Sequence, residues 1–310
     1  MMPTMQRAAV VMAGGSGERF WPLSRRERPK QLLNLTSRDR SMLDEAIARI
    51  TPLVPAEHVY VITGEHLAGP IRKAGIAIPD ENILAEPAKR NTSGALAYTA
   101  AALLARYGGD GANICLAVTT ADHDIGEPEK FQRTVHAAMT AAERDAVLVT
   151  LGVAPTRPET GYGYIQIERE STGKLMHQVM INAVRAFHEK PSRERAEDFI
   201  AEGNYFWNSG MFFWRISTFL SELEATRPAL AKAVLDMSDA MRANDSAAVR
   251  AVFESIEDIS IDYALMEHAK RVAMARAEFP WDDVGAWTAL DRSYPKDARG
   301  NVAVGNPVLV

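Results

Sequence analysis

One cysteine, Cys115, is all that 310 residues contain, so no internal disulfide is available to this chain. It lies in the apolar run 114–118 and reads as a buried core thiol. No run approaches the length of a membrane span, and no secretory layout opens the sequence, because the first apolar run leads straight into glycines. Positive charge is not in excess: 35 Lys and Arg face 40 Asp and Glu, a formal net charge of −5, which excludes a general nucleic-acid binder. Internal repeats, low-complexity tracts and any Ser-His-Asp or Cys-His arrangement for nucleophilic catalysis are missing too. What remains, 47% apolar and 24% charged residues, is the make-up of an ordinary globular protein with one large domain or two smaller ones. With so little cysteine, a reducing cytoplasm is the expected location.

Residues 8–34 are the stretch on which the chain is organised. The apolar run 8–13 reads as a short buried strand ending in Gly14-Gly15-Ser16-Gly17. Glycine lets ligand atoms come close to the backbone, so successive N–H groups can face one anion. The twelve residues 19–30 then hold five cations, Arg19, Arg25, Arg26, Arg28 and Lys30, against one acid, Glu27. Amides beside guanidinium and ammonium groups at a strand end suit a phosphate chain. A plain turn with a solvated basic face is the competing reading. The dinucleotide pattern G-x-G-x-x-G breaks at Phe20, and no Gly-Lys-Ser/Thr follows to make a P-loop.

Strand and helix signals alternate through the first half. A helix is predicted at 42–50, strands at 58–63 and 82–86, and an Ala-rich helix from 93 to about 107 with Asn91 or Thr92 as its N-cap. A strand at 114–119, a helix at 127–143 and a strand at 146–153 follow. Near-continuous apolar strands between helices predict a mainly parallel α/β sheet covered on both faces. Ligands of such sheets bind beyond the carboxyl ends of the strands, where the glycine loop and Asp122 fall. Residues 161–168 alternate as a half-exposed strand, 179–188 more loosely, and an aromatic run occupies 205–214. These predict an antiparallel insert forming one wall of a cleft. Residues 216–271 read as largely helical, 281–285 as a return to the sheet and 287–292 as a helix. A strand-like tail, 301–310, is expected to stop short of a further C-terminal piece.

Gly14-Gly15-Ser16-Gly17-x-Arg19-x-Trp21-Pro22-Leu23-Ser24-Arg25, followed by Pro29-Lys30-Gln31, resembles the signature of sugar-nucleotide pyrophosphorylases, a nucleotidyltransferase family. The likeness is greatest to its bacterial branch acting on GTP and mannose 1-phosphate. Glu18 stands where that pattern has Thr and Phe20 where it has Leu; the acid is expected to alter triphosphate affinity. The resemblance runs from position 8 to about 290. It implies a Rossmann-like mixed, mainly parallel sheet with an antiparallel sugar-binding insert. It also implies a catalytic domain over 1–285 and a short C-terminal segment over 286–310. The implied reaction moves GMP from GTP to mannose 1-phosphate with Mg²⁺ and releases pyrophosphate.

The same resemblance assigns roles residue by residue. Arg19 and Lys30 become the catalytic cations. Gly14, Gly15, Ser16, Gly17, Glu86, Asn91 and Thr92 become nucleotide contacts, and Gly163, Glu189, Lys190 and Asn208 sugar-phosphate contacts. Asp122 in Ala121-Asp122-His123 and Asp283 in Trp281-x-Asp283-Val284-Gly285 become the Mg²⁺ ligands. No segment patterned like the isomerase domain fused to some members is present, so a single activity is expected.

These residue types suit the chemistry. Two carboxylates at one sheet edge repel unless a cation lies between them, and Mg²⁺ takes one or two carboxylates with phosphate oxygens and water. Spacing alone favours Asp122 as an N-cap and Asp282 or Asp283 as turn residues, and leaves Asp124 and Asp282 open as ligands. A sugar 1-phosphate has a second pKa of about 6 and is already ionised, so alignment and charge neutralisation matter more than a general base. Glu86 with 90–92 offers acceptors and donors for guanine. Glu189 can accept sugar hydroxyls and Lys190 can neutralise a phosphate, although 189–191 alone would read as an exposed turn. His123 and His188 read as structural, Trp207, Phe212 and Trp214 as core, and Arg25, Arg26 and Arg28 as loop or surface cations.

Three rival readings remain to be weighed. The broken glycine pattern disfavours a nicotinamide-dependent oxidoreductase. Presence of Lys30, Asp122 and Asp283 disfavours a non-catalytic regulatory relative. The same chemistry on glucose 1-phosphate or a heptose 1-phosphate stays open, because motifs do not separate epimers. No nucleic-acid or membrane partner is expected, and a homodimer is left open.

Overall fold

The computed structural model describes residues 6–15, 17–168, 173–294, 296–297 and 299–302. Its strands begin with β1 (Arg7–Met12), β2 (Val59–Gly64), β3 (Ile83–Glu86), β4 (Cys115–Thr120), β5 (Asp124–Ile125) and β6 (Leu148–Val153). They continue with β7 (Tyr164–Ile167), β8 (Lys174–Met176), β9 (Val179–His188), β10 (Tyr205–Arg215), β11 (Val272–Ala277) and β12 (Trp281–Asp282). Helices α1 (Met42–Ile50), α2 (Glu65–Lys73), α3 (Asn91–Tyr107), α4 (Pro128–Asp145) and α5 (Arg193–Glu202) lie in the first two thirds. α6 (Ile216–Thr226), α7 (Pro228–Arg242), α8 (Ser246–Glu254) and α9 (Trp287–Ser293) complete the set.

Ten strands form one sheet in the order β3-β2-β1-β4-β10-β6-β11-β9-β7, with β8 paired to β9. Side chains of β1 alternate between two cores, as strand geometry requires. Ala9 and Val11 pack on the face covered by α1, α2 and α4, and Ala8 and Val10 on the face covered by α3, α6 and α7. Burial on both faces explains why these strands are near-continuously apolar.

The result is a mixed α/β sheet, less parallel than the sequence suggests. Parallel pairing joins β1, β2, β3 and β4, and β6 to β11. The remaining pairs of this sheet are antiparallel, and for β7, β8 and β9 the connecting links are far too short for a crossover. The aromatic strand is no separate wall either: β10 lies in the middle of the sheet, between β4 and β6. β7 is not half-exposed. Tyr164 and Ile165 are both 0% exposed, with α5 covering Tyr164 through Phe199.

Further along, 216–254 is largely helical as expected, in α6, α7 and α8, while 255–271 is an irregular stretch with a π-helical turn, Asp262–Met266. Residues 281–282 do not rejoin the main sheet but pair with β5 in a small two-stranded sheet. Most of the expected tail, 303–310, lies outside the described residues.

Candidate active site

The glycine loop leaves β1 under firm control. Gln31 Nε2 and Thr63 Oγ1 both donate to the Ala13 carbonyl, at 2.7 and 2.8 Å. Gly17 then takes φ 68° with its α-carbon tight against Lys30; a Cβ there would meet Lys30 Cβ at 2.5 Å and Lys30 N at 2.9 Å. Only glycine fits. Ser24 donates to the Gly17 carbonyl at 2.6 Å and closes the loop. Ser16 lies outside the described residues.

Folded beneath Gly17, Lys30 is buried, and its ammonium donates to Asp122 Oδ2 at 2.8 Å, the Asp122 carbonyl at 3.1 Å and the Asp283 carbonyl at 3.2 Å. Its Nζ also sits 5.4 Å from the centre of the Phe20 ring. Gly15, Gly17, Glu18, Arg19, Lys30, Asp122 and Asp283 all line one cavity of about 340 Å³, within the range of small-ligand sites. Arg19 is exposed at its rim. Residues separated by 253 positions thus share one pocket at the carboxyl end of the central strands.

Asp283 is held by a turn of its own. Its Oδ1 accepts from Tyr162 O–H at 2.7 Å and from Gly285 N–H at 3.1 Å. Burial and the neighbouring Asp283 charge push the Tyr162 phenol well above its ordinary pKa, so it stays a donor. Among the described residues, Oδ2 of Asp283 and Oδ1 of Asp122 carry no hydrogen bond. Two carboxylate oxygens in one pocket suit a divalent cation that completes its shell with phosphate oxygens and water. No group of three or more His, Cys, Asp or Glu donors occurs among the described residues, so such a cation completes its shell with water or phosphate oxygens here. Asp282 is otherwise engaged, gripped by Arg292 and accepting from Val284 N–H. Asp124 lines a different cavity, together with Trp281 and Asp282. His123 is half-buried, accepts from Trp281 Nε1 at 3.1 Å, and is held below its ordinary pKa by desolvation, so it is a neutral packing group.

The residues assigned to the nucleotide are only partly gathered. Glu86, at the end of β3, lies within 3.8 Å of where a Gly14 Cβ would stand, beside the loop. Its Oε2 is buried without a partner, and burial pushes the carboxyl up to about 7. Asn91 and Thr92 do not line the phosphate cavity. Nor does either cap α3, which starts at Asn91 after Arg90. Asn91 adopts φ 54°, and the Thr92 hydroxyl is taken by Ile261 N–H at 2.8 Å. These residues tie α3 to the 259–261 stretch instead.

Three of the four residues assigned to the sugar phosphate do converge. A Cβ on Gly163 would meet Glu189 Oε2 at 2.5 Å and Asn208 Cβ at 3.5 Å. Asn208 N–H donates to the Gly163 carbonyl at 2.8 Å. A bulge in β10, with Gly210 at φ 69°, places Asn208 here. Lys190 pairs with Glu189 at 3.3 Å, with its side chain 63% exposed.

Sequence reasoning missed three participants. Tyr162 supports Asp283, Arg292 supports Asp282, and Asp262 accepts from Asn208 Nδ2 at 2.7 Å. Desolvation, with Glu189 nearby, pushes Asp262 up to about 6. The only signal for Tyr162 was its place between two glycines.

The chain is similar to known proteins over nearly its whole length. A family model described as nucleotidyl transferase fits residues 8–299. Mannose-1-phosphate guanylyltransferase of Escherichia coli is 37% identical over 309 residues, 96% of this chain and 64% of that protein. Alginate biosynthesis protein AlgA of Pseudomonas fluorescens is 38% identical, over 97% of this chain and 61% of its own length. The chain therefore spans less than two thirds of these curated relatives. A crystal structure described as mannose-1-phosphate geranyltransferase from Thermus thermophilus superposes with a TM-score of 0.81 at 34% identity, covering 94% of this chain and 80% of that one. UDP-glucose pyrophosphorylase from Acinetobacter baumannii, at 13% identity and a TM-score of 0.56, shares the fold.

Proposed function

The chain belongs to the nucleotidyl transferase family, and from that premise we propose that it transfers GMP from GTP to mannose 1-phosphate, giving GDP-mannose and pyrophosphate. One observation carries the reading: Lys30, Asp122 and Asp283 meet in a single cavity under the Gly14–Gly17 loop. The choice of sugar and base rests on the relatives named above. The Rossmann-like half, β3-β2-β1-β4, takes the nucleotide, and the β7, β9 and β10 region takes the sugar phosphate. Residues 1–285 form the catalytic unit, with 286–310 as a short segment attached to it. The enzyme works in the cytoplasm; among the described residues no helix is long and apolar enough to cross a membrane.

In the mechanism, an ionised oxygen of mannose 1-phosphate attacks the α-phosphorus of GTP in line with departing pyrophosphate. The protein's task is alignment and charge neutralisation. Lys30 gives one of its three hydrogen bonds to a triphosphate oxygen, keeping its other two to hold the pocket together. Arg19, at the rim, neutralises the outgoing phosphates. Glu189 and Asn208 fix the sugar from the opposite side. Asp122 and Asp283 would hold Mg²⁺, which supplies charge neutralisation at the phosphoryl oxygens when bound.

Pyrophosphate release with each nucleoside triphosphate against a panel of hexose and heptose 1-phosphates, with and without Mg²⁺, tests the assignment. GTP with mannose 1-phosphate is expected to turn over fastest. Another winning pair overturns the substrate choice, and absence of turnover throughout overturns the activity.

Gly163→Ala is expected to displace Glu189 and raise the KM for mannose 1-phosphate about tenfold, the worth of one lost hydrogen bond, with the KM for GTP unchanged. Initial-rate kinetics check it. Glu86 predicts a pH dependence. Its folded, ligand-free carboxyl titrates at about 7 against an ordinary 4.5. Stability from its protonated form is present below 4.5 and lost as pH rises through about 7. Guanine N–H donors need the carboxylate, so GTP affinity should rise through the same window. Calorimetric titration of wild type and Glu86→Gln should show that this rise is flattened in the variant.

A further inference from the structure

The turn that presents Asp283 contains a conformation that calls for a restraint. Val284 is β-branched, fully buried and at φ 47°, a region such residues rarely occupy unless the surroundings impose it. The restraint is visible. Asp282 Oδ1 accepts from Val284 N–H at 2.9 Å, bridging the turn around Asp283. Arg292 in α9 clamps that carboxylate with two parallel bonds, Nε to Oδ2 at 2.6 Å and Nη2 to Oδ1 at 3.0 Å. A bidentate guanidinium grip fixes orientation as well as charge. The Asp282 side chain is 13% exposed, so without Arg292 it would be a poorly solvated negative charge next to Asp283.

The same helix also touches the other half of the pocket. Ala289 and Leu290 pack with Phe20, Leu33, Leu35, Met42 and Val284. The Trp287 ring meets the Phe20 ring at 5.4 Å, and Phe20 lies beneath the Lys30 ammonium. α9 thus braces both the loop bearing Lys30 and the turn bearing Asp283.

We infer that Arg292 is a positioning residue of this site: by gripping Asp282 it holds the 282–285 turn so that Asp283 faces Asp122 and Lys30, and it keeps Asp282 from acting as a rival ligand. The inference deepens the nucleotidyl-transfer reading and rests on it. Arg292 does not line the cavity that holds Lys30, Asp122 and Asp283, so its loss acts through geometry. Misplacement of a reacting group by about 1 Å from a distant change costs up to about 10²-fold in rate.

The test uses the whole chain with Arg292→Ala, Arg292→Lys and Asp282→Asn. Arg292→Ala is expected to lower kcat by about 10–10²-fold while the KM for GTP and for mannose 1-phosphate moves less than about threefold. Guanidinium ion, added well below denaturing concentrations, should restore much of that kcat, and should do nothing for Arg292→Lys or wild type. Asp282→Asn keeps the shape and weakens the grip, so its kcat should fall less and not respond to guanidinium. Mn²⁺ binding to the substrate-free protein, read by electron paramagnetic resonance, should weaken several-fold in Arg292→Ala and recover with guanidinium.

A purely structural role would lower the thermal midpoint while leaving kcat per folded molecule and Mn²⁺ affinity intact, and that result overturns the inference. Should Arg292→Ala fail to fold, wild-type kcat and Mn²⁺ affinity in both Arg292→Lys and Asp282→Asn overturn it equally. A wild-type protein inactive on every substrate pair, yet showing the guanidinium-rescued Mn²⁺ effect, overturns the parent reading and leaves this one standing.

Discussion

Lys30→Met lowers turnover of GTP and mannose 1-phosphate by about 10²–10³-fold, the usual cost of removing one preorganised cation from a developing charge. The expectation follows from where the ammonium sits. Lys30 is buried under Gly17 and directed at Asp122 and the Asp283 carbonyl, so no surface cation can swing into its place. Methionine keeps the apolar stem against Phe20 and the loop, which limits the structural damage. Asp122 loses its partner, but its side chain is 38% exposed and water can solvate it. The thermal midpoint should therefore fall little while kcat collapses. Single-turnover kinetics at saturating substrates, paired with thermal unfolding, separate the two effects. A variant keeping more than about a tenth of wild-type turnover would shift the central role to Arg19.

Asp283→Asn is the second large effect. Asparagine can still accept from Tyr162 and Gly285, so the turn should survive. What disappears is the charge facing Asp122 across the pocket. Charge stabilisation by a bound divalent ion is worth several kcal/mol, so turnover should drop by about 10²–10³-fold at ordinary Mg²⁺ concentration. Part of that loss should return as Mg²⁺ is raised, because a weakened site fills by mass action. The check is pyrophosphate release across a Mg²⁺ titration, with chelated blanks. Turnover unchanged from wild type would sink the assignment of Asp283 as a ligand.

Much of the nucleotide half was legible because its signals are local. A Val-rich strand running into glycines announces β1 and its loop, and Asp122 follows an apolar strand in the same way. The third of the chain around β7, β9 and β10 was harder. Two-residue alternation reports which face of a strand is wet, not which neighbours it has. β10 could not be placed between β4 and β6 without knowing the tertiary pairing. Tyr164 and Ile165 lie in a stretch that reads as half-exposed because nothing in 161–168 reveals that α5 will cover the first and that Phe206 and Met274 will cover the second.

The site followed the same division. Lys30, Asp122 and Asp283 stand in recognisable motifs. Tyr162 meets Asp283 across 121 positions, Asp262 meets Asn208 across 54, and Arg292 meets Asp282 across ten. Each is a polar residue whose own stretch does not name its partner, and only folding supplies it. The expectation that Asn91 or Thr92 caps α3 failed for this reason, since Ile261 claims the threonine hydroxyl.

β10 leaves β7 at 205–207, shifts register at its bulge, and ends against β4 at 212–215. One continuous backbone therefore stitches the region expected to seat the sugar onto the region expected to seat the triphosphate. Two lobes joined in this way cannot swing apart like a clam shell without tearing main-chain hydrogen bonds. The spacing between those two regions is set by the run of one strand.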